Sequence, residues 1–561
     1  MSAFRTSLAT VILAAACSSR PPPVAPLPPL PRAAAASYLR GKVAAYRGDW
    51  DGASEALAAA AAAAPDEAMI AVELARAQIK AKRAPAALAT LAEARRRWPH
   101  HPQVWLLSGD VLAAGDRVQA TQAYLEAIRL EPDDERAYLG LAKIQPPAAA
   151  EDTLRILLRH VPGSIDGRYR LAGRLAARND DDAAIRQFRA VLERDPDHID
   201  ARLELARTLR RRGHLDQAIV ETRSAFDRSG QAIDIAEELF WLLCEADDRG
   251  AAIDLLTLLD DDRSDADALA VAARLWRGLG RLAEARAIAQ RIERGHHDAG
   301  AIALARIELA AGDRPAVQAT LATISEASKL APEAHRVLAE AALAAGDPSA
   351  ALAALGTTTT PPADADNDGD PALDTALLAA FALADLGKLA EARAQLAPFE
   401  AARDAGERQQ AIYARARLAQ RAGDVPGALA LLEPLIRARP NLVAALNLAG
   451  YLLADSNQRL ADAERYLRRA RELMPGDPEV LDSWGWLRLR QGKAREAVRL
   501  LDRAARFAPL EPEILVHLAA AWAADGAPRT AVAALDRAAA LGPSPAVQKR
   551  IAAVRHTVAG R

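Results

Sequence analysis

The sequence predicts an all-helical solenoid, a stack of antiparallel helix pairs rather than a set of compact domains. Three observations carry this reading. The first is a beat of prolines: Pro65, Pro99, Pro132, Pro162 and Pro196 are separated by 34, 33, 30 and 34 residues, and Pro440, Pro475, Pro509 and Pro543 by 35, 34 and 34. Proline cannot continue a helix, so each marks the end of one helix pair and the start of the next. The second is a recurrent placement of small and large residues inside each period. The third is composition: alanine and leucine dominate and aromatics make up 4%, a mixture with high helix propensity and small side chains for close helix packing. A chain of 561 residues exceeds what one hydrophobic core can serve, and an array spreads its core along its length.

Residues 1–17 read as a signal. Arg5 precedes the apolar run from Leu8 to Ala16, which is shorter than the roughly 20 residues that span a bilayer and suits a signal-peptide core. Leu13-Ala14-Ala15-Ala16-Cys17 resembles a bacterial lipoprotein signal, with Ala14 where that family favours leucine. The resemblance implies that Cys17 is lipidated and becomes the mature N-terminus. Residues 18–35 hold seven prolines between Pro21 and Pro31, a polyproline-like spacer of about 30 Å at roughly 3.1 Å per residue. Ser18 stands where related lipoproteins of the inner membrane often carry Asp, so the resemblance implies the periplasmic face of the outer membrane. The alternative is a periplasmic or secreted protein.

Residues 36–355 form the first array. A small residue lies 24 before the proline at Gly41, Ala75, Ala172, Ala416, Gly485 and Ala519, and another lies 12 before it, as at Ala53, Ala120 and Ala497. Large residues sit eight before it, among them Leu57, Tyr124, Phe188, Leu432 and Leu501. Glycines such as Gly48, Gly213, Gly423, Gly492 and Gly526 mark the turn within each pair. Two helices approach closely only where side chains are small, and large residues one turn away fill the groove beside the contact. This period and placement resemble the tetratricopeptide repeat, which implies a right-handed superhelical solenoid of about 14 units. Near Gln145-Pro146-Pro147 the 30-residue unit requires its first helix to end early or kink. Between Asp227 and Leu330 the pairs continue without terminal prolines.

Residues 356–372 are a polar linker loop, expected to separate the first array from a second over 373–543, with a capping helix and tail over 544–561. Within the loop, Asp364, Asp366, Asp368 and Gly369 fit the opening of an EF-hand-type calcium loop. Its twelfth position is Thr375, with Asp374 one short, so a solvated loop is the default expectation.

Chemistry-bearing motifs are absent from the rest. No Gly-x-Ser-x-Gly elbow, phosphate-cradling loop, His-Glu-x-x-His helix or Cys-x-x-Cys pair occurs, and the expectation is a protein with no enzyme activity and no cofactor. Net charge is −2 from 72 basic and 74 acidic residues, which draws the whole protein neither to nucleic acid nor to anionic lipid. With Cys17 in the signal, Cys244 has no disulfide partner and reads as a small core residue. The tandem histidines His100-His101 and His296-His297 lack an adjacent ligand set, and Asp180-Asp181-Asp182 and Asp260-Asp261-Asp262 read as helix caps and solvated turns.

Function is therefore expected on the concave face, formed by the first helix of each pair. Ligand positions of the tetratricopeptide family, carried over onto this sequence, fall on Arg76, Tyr169, Arg207, Tyr413, Arg417, Asn447, Tyr451, Asp482 and Trp486. Arginine and large aromatics are what protein interfaces favour. Trp484, beside Gly485, is expected to be core. The stretches Leu446–Asp455, Leu481–Trp486 and Pro512–Leu518 resemble the last repeats of bacterial outer-membrane tetratricopeptide lipoproteins, with Arg488 where that group has an apolar residue. The resemblance implies a lipid-anchored envelope scaffold or adaptor that binds partner proteins or extended peptides. A periplasmic protease, cell-wall hydrolases or an envelope assembly complex are the partners it implies. A part in exopolysaccharide export or synthesis is the second expectation.

Overall fold

The computed structural model describes residues 30–259, 265–356, 371–402 and 404–559. Cys17, most of the proline-rich segment, Asp260–Asp262 and the calcium candidates Asp364, Asp366 and Asp368 lie outside those residues. Among the described residues there are 31 helices and no strand. Taken in sequence order they form fifteen pairs and one final helix, Pro545–Ala559, close to the 14 units expected.

Local sequence explains the pairs. Many second helices open with an aspartate whose carboxylate accepts from amides of the first turn, as at Asp49, Asp116, Asp313, Asp347 and Asp424, satisfying donors that have no partner inside the helix. The residue before several of these is a turn glycine. Gly48 and Gly423 adopt φ of 78° and 74°, a left-handed conformation that side chains disfavour. Asp180 differs from expectation: it occupies the cap position without capping through its side chain, because Arg178 takes that carboxylate at 2.9 Å. Asp181 and Asp182 lie in the first turn, where their charge complements the helix dipole. The short unit resolves as expected. Its first helix, Glu135–Ile144, has ten residues, and Pro146 and Pro147 start the next.

The small-against-large interlock is present where the spacing placed it. A Cβ on Gly41 would lie 2.6 Å from Leu57 Cγ, and one on Gly485 would lie 2.7 Å from Leu501 Cγ. Two further glycines do the same job one residue off the ruler: Gly109 against Tyr124 and Gly450 against Leu467. For Gly450 the clash distance is 2.4 Å and Leu467 is fully buried, so the leucine has nowhere to swing. Gly450→Ala is expected to destabilise the surrounding repeats by about 1–3 kcal/mol through overpacking, measurable by urea unfolding followed by circular dichroism.

The chain forms two compact units, one ending at Pro196 and one beginning at Asp197. The sequence-based boundary at 356–372 falls elsewhere, inside the second unit. There one buried cluster runs from Ala339, Ala351 and Leu355 to Leu373, Leu377 and Leu396, so apolar burial continues between the helices flanking the polar segment.

The second unit also closes on itself. Arg503 donates to the carbonyls of Cys244, at 2.9 Å, and Glu245, and Arg506 pairs with Asp247 at 2.9 Å. Phe507 is buried in the core built by residues 225–307. Gly476 lies against the backbone of Glu245, Gly280 against Pro509 and Gly312 against Leu541, while Arg314 donates to Gly542 O at 3.0 Å. Repeats distant in sequence thus share one contact line.

Candidate functional site

Eight of the nine groove residues expected from sequence fall into three groups; the ninth, Asn447, stands on the helix Val443–Asp455 with its side-chain oxygen buried and unbonded. In the first unit, Arg76 donates to Glu73 and to Gln103 Oε1, both at 2.9 Å, and the Tyr169 ring tilts against Phe188 at 6.1 Å. These side chains tie neighbouring helices together. In the second unit Arg207 does likewise. It grips Glu238 through two bonds of 2.9 and 2.8 Å and reaches Glu204 at 2.8 Å, and the bond to Glu238 holds its guanidinium more firmly protonated than usual.

A second group faces the middle of the second unit. Arg417 lies 5.4 Å over the Phe381 ring, a cation–π contact, and Tyr413 is half-buried, its hydroxyl pKa raised by burial. Arg417, Phe381, Leu377, Leu378, Arg306 and Arg336 help to line a cavity of about 650 Å³. A neighbouring cavity of about 350 Å³ has an apolar floor of Val271, Ala299, Ile302 and Ala303 beneath Arg274, Arg277 and Arg306. First helices of successive pairs supply these linings, which is the face expected to carry function.

The third group converges. Tyr451 stands on the helix Val443–Asp455, Asp482 and Trp486 on Pro478–Arg490. The next first helix, Pro512–Ala524, adds Glu513 and His517, and the final helix, Pro545–Ala559, adds Arg550. His517 is 1% exposed. Its Nδ1 faces both carboxylate oxygens of Asp482 at 2.9 and 3.0 Å. Trp486 stacks on the imidazole at 4.2 Å, with 24° between the planes, and donates through Nε1 to Asp455 Oδ1 at 3.2 Å. Arg550 then ties the cluster together. It donates to the Tyr451 hydroxyl at 2.7 Å, to Glu513, and to Asp455 Oδ2 at 3.2 Å.

Burial alone would push the His517 pKa down. The Asp482 charge and hydrogen bond outweigh it and hold the imidazole above its ordinary value. His517 Nε2 lies 3.4 Å from Arg550 Nη1, a contact the guanidinium can donate into only when Nε2 carries no proton. Tyr451 is raised by burial first and by the Glu513 charge second. Around the cluster the wall is acidic. Burial raises Asp477, Glu479 and Glu511, and neighbouring carboxylates push Glu479 and Glu511 further in the same direction.

Elsewhere, Cys244 is fully buried and burial pushes its thiol up to about 12, which removes the thiolate needed for nucleophilic chemistry. Among the described residues no group of three or more His, Cys, Asp or Glu is arranged to hold a metal, and no helix is long and apolar enough to cross a membrane.

Four members of the cluster were missed by sequence reasoning: Asp455, Glu513, His517 and Arg550. For His517 a signal existed. Asn447, Asp482 and His517 stand 35 residues apart, one equivalent position in three successive first helices, so the carry-over that reached Asp482 extends by one more period. Arg550 offered no such signal, since it lies 33 residues after His517 rather than 35. Arg488, the departure from the apolar pattern, packs without disruption. It lies 4.2 Å over the Trp484 ring, bonds Gln491 at 2.6 Å and stands 3.1 Å from Glu496.

Comparison with known proteins gives a consistent family. Two family models, both described as tetratricopeptide repeat, match residues 44–110 and 175–228, and 302–367, 413–478 and 483–545. A TPR repeat-containing protein of Pseudomonas aeruginosa, PA4667, is 38% identical over 86 residues, a stretch that spans 15% of this chain and 15% of that protein. Among solved structures, a tetratricopeptide repeat protein from Parabacteroides merdae is 16% identical at a TM-score of 0.32, covering 41% of this chain and 92% of that one. YrrB, described as a TPR protein with an unusual peptide-binding site, is 19% identical at a TM-score of 0.28, covering 33% and 98%.

Proposed function

We infer that this chain, which belongs to the tetratricopeptide repeat proteins, is a scaffold that binds partner proteins or extended peptides along the first-helix face of its second unit. Tetratricopeptide repeat proteins are protein-interaction scaffolds, and the repeat fold is generally non-catalytic. The observation that carries the placement is the convergence of Tyr451, Asp482 and Trp486, with Asp455, Glu513 and His517, on one face built from three successive repeats. Large aromatic groups with polar tips beside carboxylates supply apolar area and directional hydrogen bonds at once, the combination that dominates interface energetics. Tyr451→Ala with Trp486→Ala is expected to reduce recovery of crosslinked partners from the native envelope at least about tenfold, with helicity by circular dichroism unchanged. Undiminished recovery would place the interface elsewhere.

The reading extends to the cell envelope, where the signal at residues 1–17 and the proline spacer support a lipid anchor on Cys17. The outer membrane's periplasmic face is the proposed location. A periplasmic protease, cell-wall hydrolases or an assembly complex are the partner classes that fit it. Cys17→Ala should move the protein from the membrane fraction to the soluble fraction. Retention on the membrane would remove the anchor from this account and leave the groove reading untouched.

A further inference from the structure

We propose that the face between Tyr451 and Glu513 is an arginine-binding subsite for an extended basic peptide, and that Arg550 of the final helix fills it in cis. The proposal deepens the reading of this face as a peptide-binding groove and rests on it.

The geometry of the occupant makes the case. A guanidinium is a planar fork of five donors, and it suits a site that presents acceptors around one plane. Here Tyr451 Oη, Glu513 and Asp455 Oδ2 surround the Arg550 guanidinium. Asp455 is in turn oriented from behind by Trp486 Nε1. The Trp486 and His517 rings, stacked at 4.2 Å, make a flat floor beside it. The site is thus shaped for this group by residues of two other repeats, not only by neighbours of Arg550.

Charge specifies the rest of the ligand. Glu479 and Glu511 flank the cluster on the same wall and are exposed. The wall around them excludes part of their water and raises both pKa values, neighbouring acids add to this, and Arg277 beside Glu511 and Arg417 beside Glu479 oppose it. Three guanidinium groups, Arg277, Arg417 and Arg550, stand against six carboxylates, Asp455, Asp477, Glu479, Asp482, Glu511 and Glu513, so the wall keeps a negative excess. A segment carrying several cations is complementary to it, and an acidic segment is repelled.

The occupant is displaceable. Of the fifteen residues of its helix only Ile551 and Val558 are buried, and the Arg550 side chain is 37% exposed. A partner arginine entering the same nest would exchange like for like and gain the contacts to Glu479 and Glu511. The final helix then acts as a self-competitor that lowers affinity by holding the site occupied.

The test uses the full chain and fluorescein-labelled decapeptides of alternating alanine and arginine, alanine and lysine, or alanine and glutamate, read by anisotropy at physiological salt. Arg550→Gln is expected to bind the arginine peptide about tenfold tighter than the native protein. Adding Asp455→Asn and Glu513→Gln should remove that gain. The lysine peptide should bind several-fold more weakly, since one ammonium cannot span the three acceptors. Arg550→Lys keeps the charge and the helix, and should fall between the native protein and Arg550→Gln if the latter unfolds the last helix. Equal affinity of native and Arg550-substituted protein for the arginine peptide, or equal affinity for lysine and arginine peptides, overturns the proposal. Binding of the glutamate peptide that is lost with Tyr451→Ala and Trp486→Ala would overturn the basic specificity while leaving the groove reading intact. No peptide binding at all, together with partner recovery insensitive to Tyr451 and Trp486, would overturn both.

Discussion

Asp482→Ala is expected to destabilise the last repeats by about 3–5 kcal/mol, the range for removing one partner of a buried charged pair. His517 is almost wholly buried and its Nδ1 bonds only Asp482. Without the carboxylate, the imidazole must either stay charged and unpaired or neutralise with an orphaned donor. Asp482→Asn keeps an acceptor in place and should cost less. Because repeats share stability only with the repeats they touch, the loss falls within the second unit and is greatest in the two helices that carry the pair. Hydrogen exchange should accelerate in Pro478–Arg490 and Pro512–Ala524 and leave the first unit unchanged. Uniform exchange across the chain would contradict a local role for the pair.

The pH dependence follows from the raised His517 pKa, with Asp482, Glu513, Tyr451 and Arg550 as the groups facing the ring. A group whose folded pKa exceeds its unfolded value contributes stability fully below the unfolded value, near 6.5, and loses it as pH rises through the folded value. The native C-terminal repeats should therefore weaken on raising the pH through that window. In Asp482→Ala burial dominates instead, so the imidazole is depressed and its contribution changes sign. The gap between native protein and variant should close toward alkaline pH, and a gap independent of pH would show that His517 stays neutral throughout.

Trp484→Ala should cost a comparable amount, about 3–5 kcal/mol for truncating a buried tryptophan. The ring is 1% exposed and lies between two guanidinium groups, Arg471 at 4.5 Å and Arg488 at 4.2 Å. Truncation opens a cavity and also strips Arg488, itself 8% exposed, of the surface it rests on. Trp484→Phe retains an aromatic face and loses no hydrogen bond, since Trp484 Nε1 has no partner. It should cost well under half as much in urea unfolding. Equal costs for the two substitutions would mean that the arginine contacts contribute nothing.

The fold was legible because the features that build it are local. Proline ends a helix wherever it falls, a left-handed turn selects glycine at Gly48 and Gly423, and a helix crossing selects a small residue opposite a large one, as in Gly41 against Leu57. The turn through Arg459, itself left-handed at φ 44°, is one residue longer than the turns after Tyr46 and Arg490, so Gly450 sits one residue farther from its proline than Gly41 and Gly485 do. The site was legible in part for the same reason. Asn447, Asp482 and His517 repeat with the period, whereas Arg550 enters from a helix that breaks it.

Sequence alone therefore determined the helix pairs, their order, the helix face that carries aromatic and charged groups, and the buried place of Trp484 and Cys244. Those depend on dihedral preference and on contacts between residues less than one period or so apart, which leave a pattern in the chain. Tertiary structure alone decided that the second unit closes on itself, with Gly280 against Pro509 and Gly312 against Leu541, each 229 residues apart. It also decided that Arg550 fills the nest of Tyr451, Asp455 and Glu513, and that Arg488 finds partners in a buried position. Such contacts arise from small rotations accumulated over many repeats, and no single residue encodes the sum.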